Sequence, residues 1–165
     1  MFRRFLPTEY EHNAYDIHYE ALYEQGFRGI IFDIDNTLVE HDAPANLRSV
    51  ELIGRLHDIG FRTMVVSNNK VHRVKSFCDV VRTPYLYKAA KPSTKGYLRA
   101  VREMGCERDQ VICIGDQLFT DIWGANRAGI RSILVEPISK KEKLQIVLKR
   151  IPEKIILFFC RPRKK

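Results

Sequence analysis

The sequence lacks three features that are typical of secreted, zinc-binding or membrane-spanning proteins. Its four cysteines show neither a CxxC pair nor zinc-ligand spacing, so we expect reduced thiols rather than a disulfide scaffold. The longest apolar run near the C-terminus, residues 155–160, is far too short to cross a bilayer. Residues 1–10 carry two arginines and no apolar stretch of the kind found in signal peptides. These absences predict a cytoplasmic protein.

Acidic residues are fewer than basic ones: 20 Asp and Glu stand against 28 Lys and Arg, which gives a net charge of +8. Such an excess favours an anionic partner, which can be nucleic acid, an anionic membrane surface or a phosphorylated metabolite. Basic and bulky apolar residues are mixed at both ends, in residues 1–10 and 149–165. We expect these ends either to be extensions that contact the inner face of an anionic membrane or to pack on the folded domain.

Length and hydrophobic periodicity predict that residues 1–165 form a single α/β domain. A chain of 165 residues with 45% hydrophobic residues can bury a substantial core. Short apolar runs alternate with amphipathic stretches, which is the pattern of βαβ units. It predicts a Rossmann-like, doubly wound, mostly parallel sheet with helices on both faces. Predicted strands cover 29–35, 61–69, 84–89, 110–116 and 130–137, and predicted helices cover 46–60, 70–81, 91–105, 119–129 and about 140–150. On the helix 46–60, the apolar stripe is predicted to contain Leu47, Val50, Ile53, Leu56 and His57.

Polar side chains follow four of the predicted strands. In an open α/β sheet, ligands bind in the crevice at the carboxyl ends of the strands. A buried core would not select polar residues at these positions, so we expect them to form one site. They are Asp33 and Asp35 after the first strand, Ser67, Asn68 and Asn69 after the second, Lys91 after the third, and Asp116 and Asp121 after the fourth.

The residue types at these strand ends suit phosphoryl transfer. Aspartate oxygens without His or Cys favour a hard cation, Mg²⁺ above all. A lysine with small hydroxyl and amide side chains suits phosphate oxygens. An aspartate can also attack phosphorus and form an aspartyl-phosphate. Two carboxylates one residue apart can divide the chemistry, with Asp33 as nucleophile and Asp35 as the acid and base.

Each of these signals also has an ordinary structural interpretation. Asp35 or Asn36 can be a helix cap or a turn residue, and the SNN tripeptide of residues 67–69 can be a simple turn. An EF-hand loop starting at Asp33 is disfavoured, because Leu38 replaces its glycine and Pro44 replaces its glutamate. The order of the motifs and their shared position at strand ends favour a catalytic site.

The motifs DIDNT, SNN, KP and GDQLFTD, in this order, resemble those of the haloacid dehalogenase (HAD) superfamily of aspartate-nucleophile phosphatases. The blocks FDIDNTLV and GDQLFTDIWGANRAGI resemble the YqeG-type family of class IIIA. That family is similar to the phosphatidylglycerophosphate phosphatases of mitochondria and plastids. The resemblance covers about residues 15–137, which is most of the chain.

The resemblance implies a role for each motif residue. Asp33 would be the nucleophile and Asp35 the general acid and base. The carboxylates of Asp33 and Asp116 and the backbone carbonyl of Asp35 would hold Mg²⁺. Lys91 would neutralise the charge of the transferring group, and Asp121 would support the metal or orient Lys91. The side chains expected on the substrate phosphate are Ser67, Asn68, Asn36 and Lys91, with Thr37 in a supporting role.

Family members often carry a cap domain in one of two connecting segments, and both segments are short in this sequence. Only residues 38–45 separate DNT from the next helix, and about a dozen residues join Cys78 to Lys91, so we expect a capless enzyme. An uncapped site favours a bulky substrate that itself covers the reacting group. The predicted function is therefore a Mg²⁺-dependent phosphomonoesterase that forms an aspartyl-phosphate, with phosphatidylglycerophosphate at the membrane surface as the favoured substrate. The alternatives are a phosphatase for nucleotides or nucleic acid and a non-catalytic RNA- or ribosome-binding module.

Overall fold

Six parallel strands form one sheet in the computed structural model, which describes residues 2–139. The strand order across the sheet is β1-β6-β5-β2-β3-β4. The predicted helix at 140–150 and the basic C-terminal end lie outside the described residues. The strands are β1 (Glu9–Glu11), β2 (Gly29–Phe32), β3 (Arg62–Val66), β4 (Tyr85–Leu86), β5 (Val111–Gly115) and β6 (Arg131–Val135).

Helices cover both faces of the sheet and enclose two apolar clusters. They are α1 (Tyr19–Glu24), α2 (Leu47–Ile59), α3 (Val71–Val81), α4 (Thr94–Glu103) and α5 (Trp123–Ala128). Ile30 and Phe32 of β2 belong to the cluster that includes α2 and α3, whereas Ile31 belongs to the cluster that includes α4 and α5. Successive strand residues point to opposite faces, so a strand covered on both sides must be apolar throughout. The doubly wound α/β prediction is therefore confirmed.

The chain changes winding direction between β2 and β5, and this point fixes where a site can form. From β2 the chain continues outward to β3 and β4, whereas β5, β6 and β1 lie on the other side. Phe32 is paired with Ile114 across this junction. The residues that follow these two strands, Asp33 and Asp116, are therefore brought to neighbouring positions at the carboxyl edge. Such a junction is where ligands bind in open α/β sheets.

Several predicted element boundaries are wrong. β2 ends at Phe32 because the backbone then turns, with the amides of Thr37, Leu38 and Val39 all directed to the carbonyl of Ile34. β4 contains only Tyr85–Leu86. The predicted helix 119–129 is a π-helix at Leu118–Ile122 followed by α5.

The predicted apolar stripe of α2 is right for Ile53 and Leu56, which are buried, and wrong for its other three members. Leu47, Val50 and His57 are exposed, and Leu52 packs inward beside Ile53 and Leu56. Ser49 is buried as well. Its hydroxyl takes part in a capping box. The backbone amide of Asn46 donates to Ser49 Oγ, and the backbone amide of Ser49 donates to Asn46 Oδ1. The buried face is therefore rotated from the one that the apolar pattern alone indicates.

The described part of the N-terminal end packs on the domain. Phe2–Phe5 form a 3₁₀ helix, and the Phe5 ring lies 5.6 Å from the ring of Phe119 and 5.0 Å from that of Trp123. Asn126 Nδ2 donates to the backbone carbonyl oxygens of Arg4 and Leu6. β1 then adds to the sheet next to β6. Neither β1 nor α1 was expected from the sequence pattern.

The connections after the first motif contain no additional domain. Residues 33–46 form turns and one isolated bridge, between Asp35 and Val39, before α2 begins. Residues 82–93 contain only the short β4. The capless architecture is therefore confirmed. Within residues 2–139, every helix is too short or too polar to traverse a lipid bilayer.

Candidate active site

Lys91 joins two carboxylates at the carboxyl edge of the sheet. Its Nζ donates to Asp33 Oδ1 at 2.7 Å and to Asp121 Oδ1 at 2.6 Å, and all three side chains are buried. The other carboxylate oxygen of Asp121 accepts from the backbone amide of Gln117 at 3.1 Å. The structure therefore brings together an aspartate of the first motif, the lysine of the third and the second aspartate of the fourth.

Burial and charge act against each other in this cluster. Burial raises the pKa of Asp33 to about 7, the Lys91 ammonium opposes that increase, and the Asp121 carboxylate adds to it. Burial also lowers the pKa of Lys91, but the carboxylates of Asp121 and Asp33 outweigh burial and place that pKa above its ordinary value. Lys91 is therefore a permanent cation, whereas Asp33 is the group whose charge is sensitive to pH.

The same edge contains a set of oxygen donors that fits a divalent cation. Asp33, Asp116 and Asp121 each offer a carboxylate oxygen within 4.8 Å of the others. One ammonium cannot balance three buried carboxylates, and hard oxygen ligands are the donors that Mg²⁺ prefers. A second group contains Asp35, His41 and Asp42. The guanidinium of Arg73 already contacts Asp35, so a cation is less favoured there.

Three donors fix the carboxylate of Asp35. Oδ1 accepts from Arg73 Nη2 at 2.7 Å and from the Asp42 amide at 3.0 Å, and Oδ2 accepts from Asn69 Nδ2 at 2.5 Å. His41 Nδ1 lies 3.9 Å from Oδ2. Both carboxylate oxygens are therefore held in fixed positions at the carboxyl edge of the sheet.

The remaining residues of the first motif form the turn that carries the two aspartates. Asn36 has a left-handed backbone with φ of 62°, a conformation that asparagine tolerates better than most residues. Its Oδ1 accepts from the Ser139 amide at 3.3 Å. Thr37 Oγ1 donates to Asp116 Oδ1 at 3.3 Å and so links the ends of β2 and β5. A contact of Asn36 with substrate phosphate stays a prediction.

The second motif holds the backbone of Lys91. Asn68 Nδ2 donates to the Lys91 carbonyl at 3.1 Å, and Asn68 Oδ1 accepts from the Lys91 amide at 2.7 Å. Ser67 is buried, and its Oγ accepts from the Asn69 amide at 3.2 Å. Ser67 and Asn68 therefore lie beside Asn69 and Lys91, and their contact with substrate phosphate stays a prediction.

Sequence reasoning missed three residues that build the site. A Cβ at Gly115 would lie 2.5 Å from Asp121 Cβ, so only glycine lets the π-helix approach the end of β5 this closely. Tyr97, which is fully buried, donates from its hydroxyl to the carbonyl of Thr120 at 2.9 Å and supports the same π-helix. Arg73 contacts Asp35 from α3. Gly115 could have been identified from the GDQ motif, in which it precedes Asp116. The contacts of Tyr97 and Arg73 could not, because they depend on tertiary packing.

Comparisons with known proteins agree with this architecture. The HAD-hydrolase-like family model matches residues 88–147. The chain is 42% identical over 154 residues to the Probable phosphatase YqeG of Bacillus subtilis, covering 93% of this chain and 90% of that protein. It is 29% identical over 144 residues to Phosphatidylglycerophosphate phosphatase 1, chloroplastic/mitochondrial, of Arabidopsis thaliana, covering 79% of this chain but only 40% of that protein.

A solved structure supports the fold independently of close sequence similarity. The cobalt-bound deoxy-D-mannose-octulosonate 8-phosphate phosphatase of Haemophilus influenzae superposes with a TM-score of 0.54, at 15% identity, over 81% of this chain and 89% of that one. This likeness bears on the fold alone. The chain belongs to the HAD superfamily of hydrolases and, within it, to the YqeG-type family. It is therefore a HAD-family phosphatase, an enzyme that hydrolyses phosphoric monoesters.

Proposed function

We propose that the protein is a Mg²⁺-dependent phosphomonoesterase that works through an aspartyl-phosphate on Asp33, with phosphatidylglycerophosphate as its favoured substrate. The observation that carries the proposal is the pairing of Asp33 with the Lys91 ammonium at 2.7 Å, two residues before a second oriented aspartate. A carboxylate next to a fixed cation can receive a phosphoryl group whose negative charge the cation stabilises.

In the first half-reaction, a carboxylate oxygen of Asp33 forms a bond to phosphorus while the bond to the leaving alcohol breaks. Asp35 gives its proton to the leaving oxygen, and the alcohol departs. In the second half-reaction Asp35 takes a proton from water, the water oxygen bonds to phosphorus, and the bond to Asp33 breaks. Inorganic phosphate leaves, and both carboxyl groups return to their starting states.

The charge of the phosphoryl group needs fixed positive partners throughout. Lys91 supplies one of them, and its position is held by Asp121 and by the amide of Asn68. The carboxylates of Asp33 and Asp116 with the backbone carbonyl of Asp35 would hold Mg²⁺, which would supply further positive charge beside the phosphoryl oxygens. Asp121 lies within the same carboxylate group and would support that arrangement.

The lipid part of the proposal has separate support. The plastid and mitochondrial relative is named for phosphatidylglycerophosphate, although the chain spans only 40% of it. The capless site and the net charge of +8 both suit a substrate presented at an anionic membrane surface. Peripheral contact with such a surface is part of this proposal, and nucleotides or nucleic acid are the competing class.

A substrate panel tests the proposal directly. Purified protein would be assayed for phosphate release from phosphatidylglycerophosphate in mixed micelles, nucleoside monophosphates, a 5′-phosphorylated oligonucleotide and sugar phosphates, each with Mg²⁺ and with EDTA. We expect Mg²⁺-dependent release that is fastest for the lipid. Fastest release from nucleotides or the oligonucleotide would transfer the assignment to the competing class, and no release from any ester would refute the phosphatase mechanism.

Replacement of Asp35 by Asn should slow the chemical step by about 10² to 10⁴-fold for alkyl phosphates, because the amide cannot donate the proton that an alkoxide leaving group needs. The loss should be much smaller for p-nitrophenyl phosphate, whose leaving group needs little protonation. Steady-state kcat for both substrates measures the difference. An equal loss on the two substrates would show that Asp35 has a structural role and is not the general acid.

Mg²⁺ should bind more tightly as the pH rises from about 5 to 7. Asp33 has a raised pKa of about 7, so below that pH a proton competes with the metal for its carboxylate. Apparent affinity should increase roughly tenfold per pH unit below the pKa and level off above it. Without Mg²⁺, the raised pKa favours the protonated native state, so stability should fall as the pH rises from about 4 to 7.

Thermal melting with and without Mg²⁺ at pH 5.5 and 7.5 measures both effects. The melting temperature should respond more strongly to Mg²⁺ at pH 7.5. The Asp33→Asn variant serves as the control and should lose most of the pH dependence. An equal response to Mg²⁺ at both pH values in the unaltered protein would contradict the assignment of Asp33 as a ligand.

A further inference from the structure

Arg73 is a largely buried cation that holds Asp35 and has no contact with substrate in the mechanism above. It lies in the first turn of α3, its side chain is 15% exposed, and its Nη2 donates to Asp35 Oδ1 at 2.7 Å. Its guanidinium carbon lies 5.8 Å from the centre of the Phe77 ring. Within residues 2–139, its buried Nε has no hydrogen-bond partner. A buried donor without a partner is costly, so this guanidinium is incompletely satisfied in the ligand-free protein.

We propose that Arg73 binds a second phosphate group carried by the leaving alcohol of the substrate. The inference rests on the proposed function, because it takes Asp35 as the group that protonates the leaving oxygen. That role places the leaving oxygen within hydrogen-bond distance of the Asp35 carboxylate. Arg73 contacts this same carboxylate and therefore lies on the leaving-group side of the reacting phosphorus.

The distances fit an alcohol of about three carbons. A leaving oxygen in contact with Asp35 Oδ1 lies within about 6 Å of Arg73 Nη2, given the 2.7 Å contact between Nη2 and Oδ1. A three-carbon glycerol unit, with bonds of about 1.5 Å, spans such a gap between two ester oxygens. A phosphate at the far end of the glycerol therefore reaches the guanidinium while the near phosphate occupies the site at Asp33.

The chemistry of the guanidinium suits phosphate. The Nε and Nη2 hydrogens project from one edge in the fork that binds two oxygens of a phosphate. Here Nη2 already donates to Asp35, so among the described residues Nε is the donor of this edge that is left for a phosphate oxygen. The first turn of α3 contains no acidic side chain that would repel an anion. The Asp42 carboxylate, whose residue also contacts Asp35 through its backbone amide, is largely exposed and lies 3.3 Å from His41.

The predicted substrate class is a phosphomonoester whose glycerol leaving group carries a second phosphate. A sugar monophosphate lacks this group. Nucleoside bisphosphates also carry a second phosphate, so the experiment must distinguish a glycerol leaving group from a nucleoside leaving group. Matched substrates are glycerol 3-phosphate, deacylated phosphatidylglycerophosphate and adenosine 3′,5′-bisphosphate. The first two have alkyl leaving groups that depend equally on Asp35 and differ in the second phosphate.

We expect the unaltered enzyme to prefer deacylated phosphatidylglycerophosphate to glycerol 3-phosphate. Arg73→Ala should raise KM for the former by about 10- to 100-fold, the range of one charge-assisted hydrogen-bonded contact, and should remove most of the preference. Arg73→Lys keeps the charge without the fork and should give an intermediate KM. Arg55→Ala removes an exposed arginine that pairs with Glu20, and as the matched control it should leave the preference intact.

The outcomes distinguish the inference from the function on which it rests. An equal effect of Arg73→Ala on both glycerol substrates, with the preference for the second phosphate intact, would show that Arg73 only orients Asp35 and would overturn the inference. Absence of a preference in the unaltered enzyme, with glycerol 3-phosphate still hydrolysed, would also overturn it and leave the proposed function standing. An Arg73-dependent preference confined to adenosine 3′,5′-bisphosphate would overturn the glycerol assignment. Failure to hydrolyse any of the three substrates would refute the proposed function itself.

Discussion

Replacement of Asp33 by Asn should reduce phosphatase turnover by on the order of 10⁴-fold or more while the protein remains folded. The amide cannot form the phosphoryl ester that the proposed mechanism requires. The amide oxygen would still accept the hydrogen bond from Lys91, and the substitution removes a carboxylate whose burial is unfavourable. Thermal stability should therefore be maintained or increased, and kcat should collapse for every substrate, including p-nitrophenyl phosphate.

The matched control for this variant is Asp58→Asn, which changes an exposed aspartate on α2 by the same chemistry. It should leave both kcat and the melting temperature near those of the unaltered protein. Mass spectrometry of the intact chain confirms that the Asp33→Asn preparation contains no aspartate at the substituted position. Retention of more than a tenth of the activity in such a preparation would exclude Asp33 as the nucleophile.

Replacement of Lys91 by Met should destabilise the protein by about 3–5 kcal/mol, because it leaves two buried carboxylates without their ammonium partner. Turnover should also fall by about 10² to 10³-fold, since a fixed cation beside the transferring group is lost. The Lys91 charge lowers the pKa of Asp33, so that pKa should rise further in the variant. The defect in stability should therefore be larger at pH 7.5, where Asp33 is ionised in the unaltered protein, than at pH 5, where it is protonated.

A double-mutant cycle separates charge from packing in this prediction. Asp121→Asn in the Lys91→Met background removes one of the two unpaired carboxylates and should recover part of the lost stability. Urea unfolding of the four proteins at pH 5 and 7.5 gives the coupling energy. Strictly additive effects, or a defect of equal size at the two pH values, would show that the loss comes from packing around the lysine stem rather than from charge.

The local sequence predicts the residues at the carboxyl edge of the sheet better than it predicts the elements and contacts that surround them. Asp33, Lys91 and Asp121 lie together because parallel strands must deliver their carboxyl ends to one edge, and the apolar runs before them are long enough to identify as strands. The contact of Thr37 with Asp116 could not be predicted, since it depends on the pairing of β2 with β5.

Other errors arose where tertiary contacts override local pattern. Leu47 was expected to be buried and is 72% exposed, because the capping box allows Ser49 to turn inward in its place. β1 is only three residues long and contains two glutamates, so no apolar alternation marks it as a strand. Its existence depends on β6, which offers an open edge. Arg73 likewise gives no local sign that it will contact Asp35.

The pairing of β1 with β6 has a consequence for the order in which the chain assembles during translation. The amide of Thr8 donates to the carbonyl of Ser132, which the ribosome adds 124 residues later. Residues 2–11 are therefore synthesised long before the edge that receives them exists, and the central strand β2 must likewise wait for β5. Long-range parallel pairings of this kind form slowly. The N-terminal segment therefore lacks its partner strand until β6 has been synthesised, and it can dock on that edge only after this point.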